Sequence, residues 1–151
     1  MTSLLTSLGP MKTPPAPAHH GAAILLVDDN PHGLIARRTV LEELGFHIHT
    51  AVDGEDALNV LSEQRIDLVI TDFRMPKMDG TELIARIRQG RPDMPVILLS
   101  GFVEPLGLTE QTTGADIVLA KSAGELGFLI RSVRRLLTRP PQQSKRARNA
   151  G

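Results

Sequence analysis

Four short apolar runs, Ile24–Val27, Ile66–Ile70, Val96–Leu99 and Ile117–Leu119, recur along the chain, and stretches of helical period separate them. Each run is short, branched and nearly continuous, the pattern of a strand covered on both faces. That pattern predicts central parallel strands. Residues 47–52, HIHTAV, alternate with period two instead and are read as a less buried strand at an edge. His47 and His49 stand at i and i+2 there, but no third ligand lies nearby in sequence, so the reading is of exposed edge histidines and not a metal site.

The intervening stretches carry helix signals at their ends. Asn30 before Pro31 is an N-cap with proline at the first helical position, and Leu34, Arg38, Leu41 and Leu44 lead to Gly45, which predicts a helix over about 31–44. Ala57, Leu58 and Leu61 mark a second helix behind Asp53 and Gly54; Leu83, Ile84 and Ile87 mark a third behind Asp79 and Gly80. Ser122 to Glu125 has the S-x-x-E form of a capping box ahead of Leu126, Leu129, Ile130, Val133 and Leu137, the fifth helix. Pro105 and Gly107 make the fourth short, irregular or mobile.

Strict alternation of strand and helix implies a doubly wound five-stranded parallel sheet, an α/β fold with helices on both faces. A chain of 151 residues, 41% hydrophobic, suits one such domain. The Pro-rich segment 1–22 is expected to be disordered, and residues 139–151 to form a flexible basic tail after the last helix stops near Thr138. Lys plus Arg and Asp plus Glu both number 17, so no global field draws the protein to nucleic acid or membrane, and neither direct DNA binding nor membrane association is expected. The chain has no cysteine and no apolar stretch of spanning length, from which a soluble cytoplasmic protein is expected.

In open parallel sheets the working residues gather at the carboxyl ends of the strands. Those ends are Asp28 and Asp29, then Asp72, Ser100 and Lys121. Three carboxylates in one crevice repel one another unless a hard cation neutralises them, and Mg2+ is the natural candidate because it takes oxygen ligands and needs few carboxylates.

The segments ILLVDDN, DLVITDFRMPKMDG, PVILLSG and GADIVLAKS resemble, in order and spacing from about residue 23 to 138, the receiver domain of two-component response regulators. The resemblance implies a flavodoxin-like fold with strand order 2-1-3-4-5 and identifies Asp72 as the phosphoacceptor. It implies that Asp29, Asp72 and the backbone carbonyl of Arg74 bind Mg2+, that Asp28 acts through water, and that Lys121 and Ser100 contact the phosphoryl group. The implied partners are a sensor or hybrid histidine kinase or a histidine phosphotransfer protein, with an unidentified protein target downstream. No second apolar-periodic region follows the fifth helix, so a single-domain regulator is expected.

Val118 departs from the family's usual aromatic switch, and Ser122 replaces the usual proline after the lysine. Met75, Pro76 and Gly80 are read as shaping the loop after Asp72, and Phe102 as a side chain overhanging the phosphoryl group that slows its hydrolysis. Alternative readings are a haloacid-dehalogenase-like phosphatase, which usually has an acid two residues after the nucleophile where this chain has Arg74, and a pseudo-receiver that binds a partner constitutively. A nucleotide- or flavin-binding module fits less well, because DDNPHG lacks a glycine-rich phosphate loop.

Overall fold

The computed structural model describes residues 21–101, 107–122 and 124–138. Most of the expected disordered head, the loop residues Phe102 and Pro105, and the basic tail lie outside the described residues. In chain order the elements are β1 (Ala23–Val27), α1 (Pro31–Glu43), β2 (His47–Ala51), α2 (Gly54–Glu63), β3 (Leu68–Asp72), α3 (Gly80–Gly90), β4 (Val96–Ser100), α4 (Glu110–Thr113), β5 (Ile117–Ala120) and α5 (Glu125–Thr138). All neighbouring strands pair in parallel, in the order β2-β1-β3-β4-β5, the flavodoxin-like arrangement. β2 is an edge, as its alternation implies.

Strand parity divides the core into two layers. Leu25, Val27, Val69, Val96 and Leu98 face Ala57 and Leu61 of α2 and Leu83, Ile84 and Ile87 of α3. Ile24, Leu26, Leu68, Ile70, Ile97 and Leu99 face Leu34 and Leu41 of α1 and Leu129, Val133 and Leu136 of α5. Burial on both faces is why the central strands carry no polar alternation.

Side-chain caps set where the helices start. The Asn30 side chain accepts from the His32 N–H at 3.0 Å, Asp53 from the Asp56 N–H at 2.8 Å, and Asp79 from the Glu82 N–H at 2.9 Å. Each capping residue therefore sits between a strand end and a helix, and this fixes the loops at the carboxyl rim.

Some boundaries differ from the sequence reading. β3 starts at Leu68 and not at Ile66, because the Asp67 carboxylate takes the Ala23 N–H at 2.8 Å, a donor that a strand carbonyl would otherwise accept. Ile66 is still buried. α5 begins at Glu125, and the Ser122–Glu125 contact is a backbone bond from the Glu125 N–H to the Ser122 carbonyl at 3.1 Å. The Glu125 carboxylate, which a capping box would turn back on Ser122, is engaged by Arg37. α4 has four residues, with its own capping box between Thr109 and Thr112.

Candidate functional site at the carboxyl rim

The register brings the strand ends level. Val27 pairs with Ala51 and Thr71, Asp72 with Leu99, and Ser100 with Ala120. Asp28 follows β1 directly, with its N–H on the Ala51 carbonyl at 3.1 Å, and Lys121 follows β5 with its N–H on the Ser100 carbonyl at 2.9 Å. Five residues from four separate strand ends thus meet at one place, as the sequence reading expects.

Ligand oxygens of Asp28, Asp29 and Asp72 lie within 4.8 Å of one another, the one group of three or more such side chains among the described residues. A recess of about 410 Å³ opens above them, lined by Asp29, Asp72, Arg74, Ser100 and Lys121 together with Asn30 and Gly101. Asp28, Asp72 and Ser100 are buried, whereas Asp29 and Arg74 are exposed at its mouth. An all-oxygen donor set that is half open to water fits a hard divalent cation that keeps some of its waters.

Lys121 Nζ stands 2.5 Å from Asp72 Oδ1. Burial pushes the Asp72 carboxyl above the ordinary carboxylate range; the Lys121 hydrogen bond opposes this and the negative charge of Asp28 adds to it. The result is an acid that is costly to ionise.

The loop after Asp72 is held by close backbone approach. A Cβ on Gly80 would lie 2.5 Å from the Asp72 carbonyl oxygen and 2.9 Å from the Phe73 Cα, so a side chain there would displace the loop. Met75 is buried in the α2/α3 layer, and Lys77 takes a positive φ of 71° in the same turn. Every described peptide bond is trans, including the one between Lys121 and Ser122. Val118 is half-buried against the α2/α3 layer, and its N–H donates to Glu110 Oε2 at 2.9 Å.

One residue of the site escapes the sequence reading. Asp28 continues the parity of Ile24 and Leu26 and so faces α1, where Arg37 is buried. Arg37 Nη1 donates to Asp28 Oδ2 at 3.0 Å, and its Nε donates to Glu125 Oε2 at 2.6 Å. Burial works against the guanidinium charge, but Glu125 and then Asp28 outweigh it and raise the Arg37 pKa. Its signal in the sequence is position: residues 34, 37 and 41 form one stripe at helical spacing, with an arginine between two leucines. Arg37 and Lys121 therefore already neutralise part of the acidic cluster.

The sequence matches the response regulator receiver domain over residues 24–131, and the chain belongs to that family. Among curated relatives it is 38% identical over 116 residues to the transcriptional regulatory protein GlrR of Escherichia coli K12, a match covering 77% of this chain and 24% of that protein. It is 44% identical over 96 residues to the sensor histidine kinase RcsC of Salmonella typhimurium, covering 62% of this chain and 10% of the kinase. The chain thus spans about a quarter of the length of the first relative and less of the second. Among solved structures it resembles the response regulator TrrA of Thermotoga maritima in complex with Mg2+ and BeF, at TM-score 0.69 and 33% identity over 76% of this chain and 98% of that one. The receiver domain of the sensor histidine kinase PA1611 of Pseudomonas aeruginosa, which has magnesium coordinated in its active-site cleft, matches at TM-score 0.71 and 28% identity over 79% of this chain and 99% of that one. No helix among the described residues is long and apolar enough to cross a membrane.

Proposed function

We propose that this chain is a response regulator receiver that accepts a phosphoryl group on Asp72 from a sensor or hybrid histidine kinase or a histidine phosphotransfer protein. The observation that carries the reading is Asp72 at the floor of the recess, with Lys121 Nζ 2.5 Å from its carboxylate and the oxygens of Asp28 and Asp29 within 4.8 Å. A carboxylate oxygen of Asp72 attacks phosphorus; the P–N bond of the phosphohistidine breaks as the O–P bond forms, and the imidazole leaves with the electron pair. The product is an aspartyl phosphate.

The Lys121 ammonium passes from the Asp72 carboxylate to a phosphoryl oxygen, and the Ser100 hydroxyl donates to another. Asp29, Asp72 and the Arg74 carbonyl would hold Mg2+, with Asp28 reaching it through water, and the bound ion would spread charge over the transferring oxygens. Attack by water on the aspartyl phosphate reverses the modification. The protein in this reading catalyses its own phosphorylation and dephosphorylation and turns over no external substrate. It signals through phosphorylation-dependent protein binding or as a phosphorelay step, and it works in the cytoplasm beside its kinase.

Incubation with Mg2+ and acetyl phosphate, followed by intact-mass measurement, tests the reading. The expected result is one added phosphoryl group, absent without Mg2+ and absent in Asp72→Asn. Sustained turnover of p-nitrophenyl phosphate would favour an aspartyl-nucleophile phosphatase, and complete inertness would favour a constitutive binding module.

A further inference from the structure

Arg37 joins two parts of the molecule that the chain separates widely. Its guanidinium lies between Asp28, at the end of β1, and Glu125, the first residue of α5. Both contacts are shielded: the Arg37 side chain is 10% exposed and that of Glu125 is 13% exposed, so solvent screens them weakly. Asp28 has a second hold, since its Oδ1 accepts the Asn30 N–H at 2.9 Å. Room for the bridge comes from Gly33, where a Cβ would lie 2.7 Å from Asp28 Oδ2 and 2.9 Å from Arg37 Nη1.

We propose that Arg37 is a positioning residue through which α5 tunes the cation affinity of the recess: the guanidinium is shared between Asp28 and Glu125, and the pull of Glu125 sets how strongly it competes for Asp28. The inference rests on the reading of the recess as a Mg2+ site. A dication among Asp28, Asp29 and Asp72 and a guanidinium on Asp28 neutralise the same charge and repel each other, so each weakens the other's hold. Glu125 draws the guanidinium from the opposite side, through a contact of 2.6 Å against 3.0 Å to Asp28. Removing Glu125 therefore commits Arg37 to Asp28 and weakens the cation site, although Glu125 is not among the acidic residues grouped there.

Linkage makes the effect reciprocal. A cation that loosens Arg37 from Asp28 strengthens its hold on Glu125, and the Glu125 N–H is bonded to the Ser122 carbonyl, next to Lys121. The first turn of α5 thereby senses the occupancy of the recess without an aromatic side chain at Val118.

The test is Mg2+ affinity of the full chain, measured by isothermal titration calorimetry and by amide chemical shifts. Arg37→Met is expected to tighten Mg2+ binding and Glu125→Gln to weaken it, each by about threefold or more. The double variant should match Arg37→Met, because Glu125 acts only through Arg37. A Glu125→Gln protein with unchanged Mg2+ affinity, or a double variant that keeps the full Glu125→Gln effect, overturns the proposal. Arg37→Met leaves a buried carboxylate without its partner and can fail to fold; Glu125→Gln in the otherwise intact chain then decides by itself. If the unaltered protein takes up no Mg2+, the metal-site reading falls and this inference with it, whereas normal uptake indifferent to Glu125 removes the inference alone.

Discussion

Burial governs Asp72 before any ligand arrives. Its pKa in the folded protein lies above the ordinary carboxylate value, first because of desolvation, so the folded state holds the Asp72 proton more tightly than the unfolded chain does. As pH rises from the unfolded pKa through the raised one, ionising Asp72 costs stability. Asp72→Asn removes that cost and keeps the shape. The variant is expected to show a higher urea midpoint than the unaltered protein near pH 7 without Mg2+, and the advantage should vanish at about pH 3, where both states are protonated. A variant less stable at neutral pH would mean that the Lys121 contact outweighs desolvation. Asp28, Asp29, Asp72, Ser100 and Lys121 were legible because each stands at a strand end. Arg37 was not: the sequence reading puts Arg38 in the stripe with Leu34 and Leu41, whereas the structure buries Arg37 there and leaves Arg38 exposed, and the two partners of Arg37 lie 9 residues before it and 88 after it.

Within the elements, α5 shows how far a periodic pattern reaches. Its apolar residues identify the helix, yet the structure buries Leu129, Val133 and Leu136 and leaves Leu126 and Phe128 exposed, because only one narrow stripe meets the sheet. Leu129 is 0% exposed in the layer that also contains Leu34 and Leu41. Leu129→Ala should cost about 2–5 kcal/mol in chemical denaturation through lost burial and the cavity it leaves. Ile35→Ala, on the outer face of α1 with Ile35 64% exposed, should stay within about 0.5 kcal/mol. Equal losses at both positions would contradict the layer assignment. The start of β3 was hidden from periodicity because a side chain, Asp67, takes part in the ladder. The start of α5 was hidden for a similar reason, since the contact that claims Glu125 comes from Arg37 of α1 and a local motif cannot report it. Strand type and order, by contrast, depend on two-sided burial and alternation, which are written along the chain itself.

At the scale of the whole molecule, formal charge sums to zero while carboxylates concentrate at one rim, so a divalent cation has a local reason to bind and no global one. A ligand that binds only the folded state stabilises it by mass action, by about 2.7 kcal/mol at a hundred times its Kd. Saturating Mg2+ is therefore expected to raise Tm by on the order of 5–10 °C over sodium chloride of equal ionic strength. Asp29→Asn separates specific binding from general damage because it moves the two readings in opposite directions. Removing one of the repelling carboxylates should raise Tm slightly without Mg2+, and removing a ligand should shrink the gain that Mg2+ brings. A merely damaged protein would melt lower in both conditions. Glu63→Gln, an exposed change at the end of α2 and outside the acidic cluster, should keep the full gain. If Mg2+ stabilises the Asp29→Asn and Glu63→Gln proteins equally, the ion is acting on the surface at large, and the rim carboxylates are not its site.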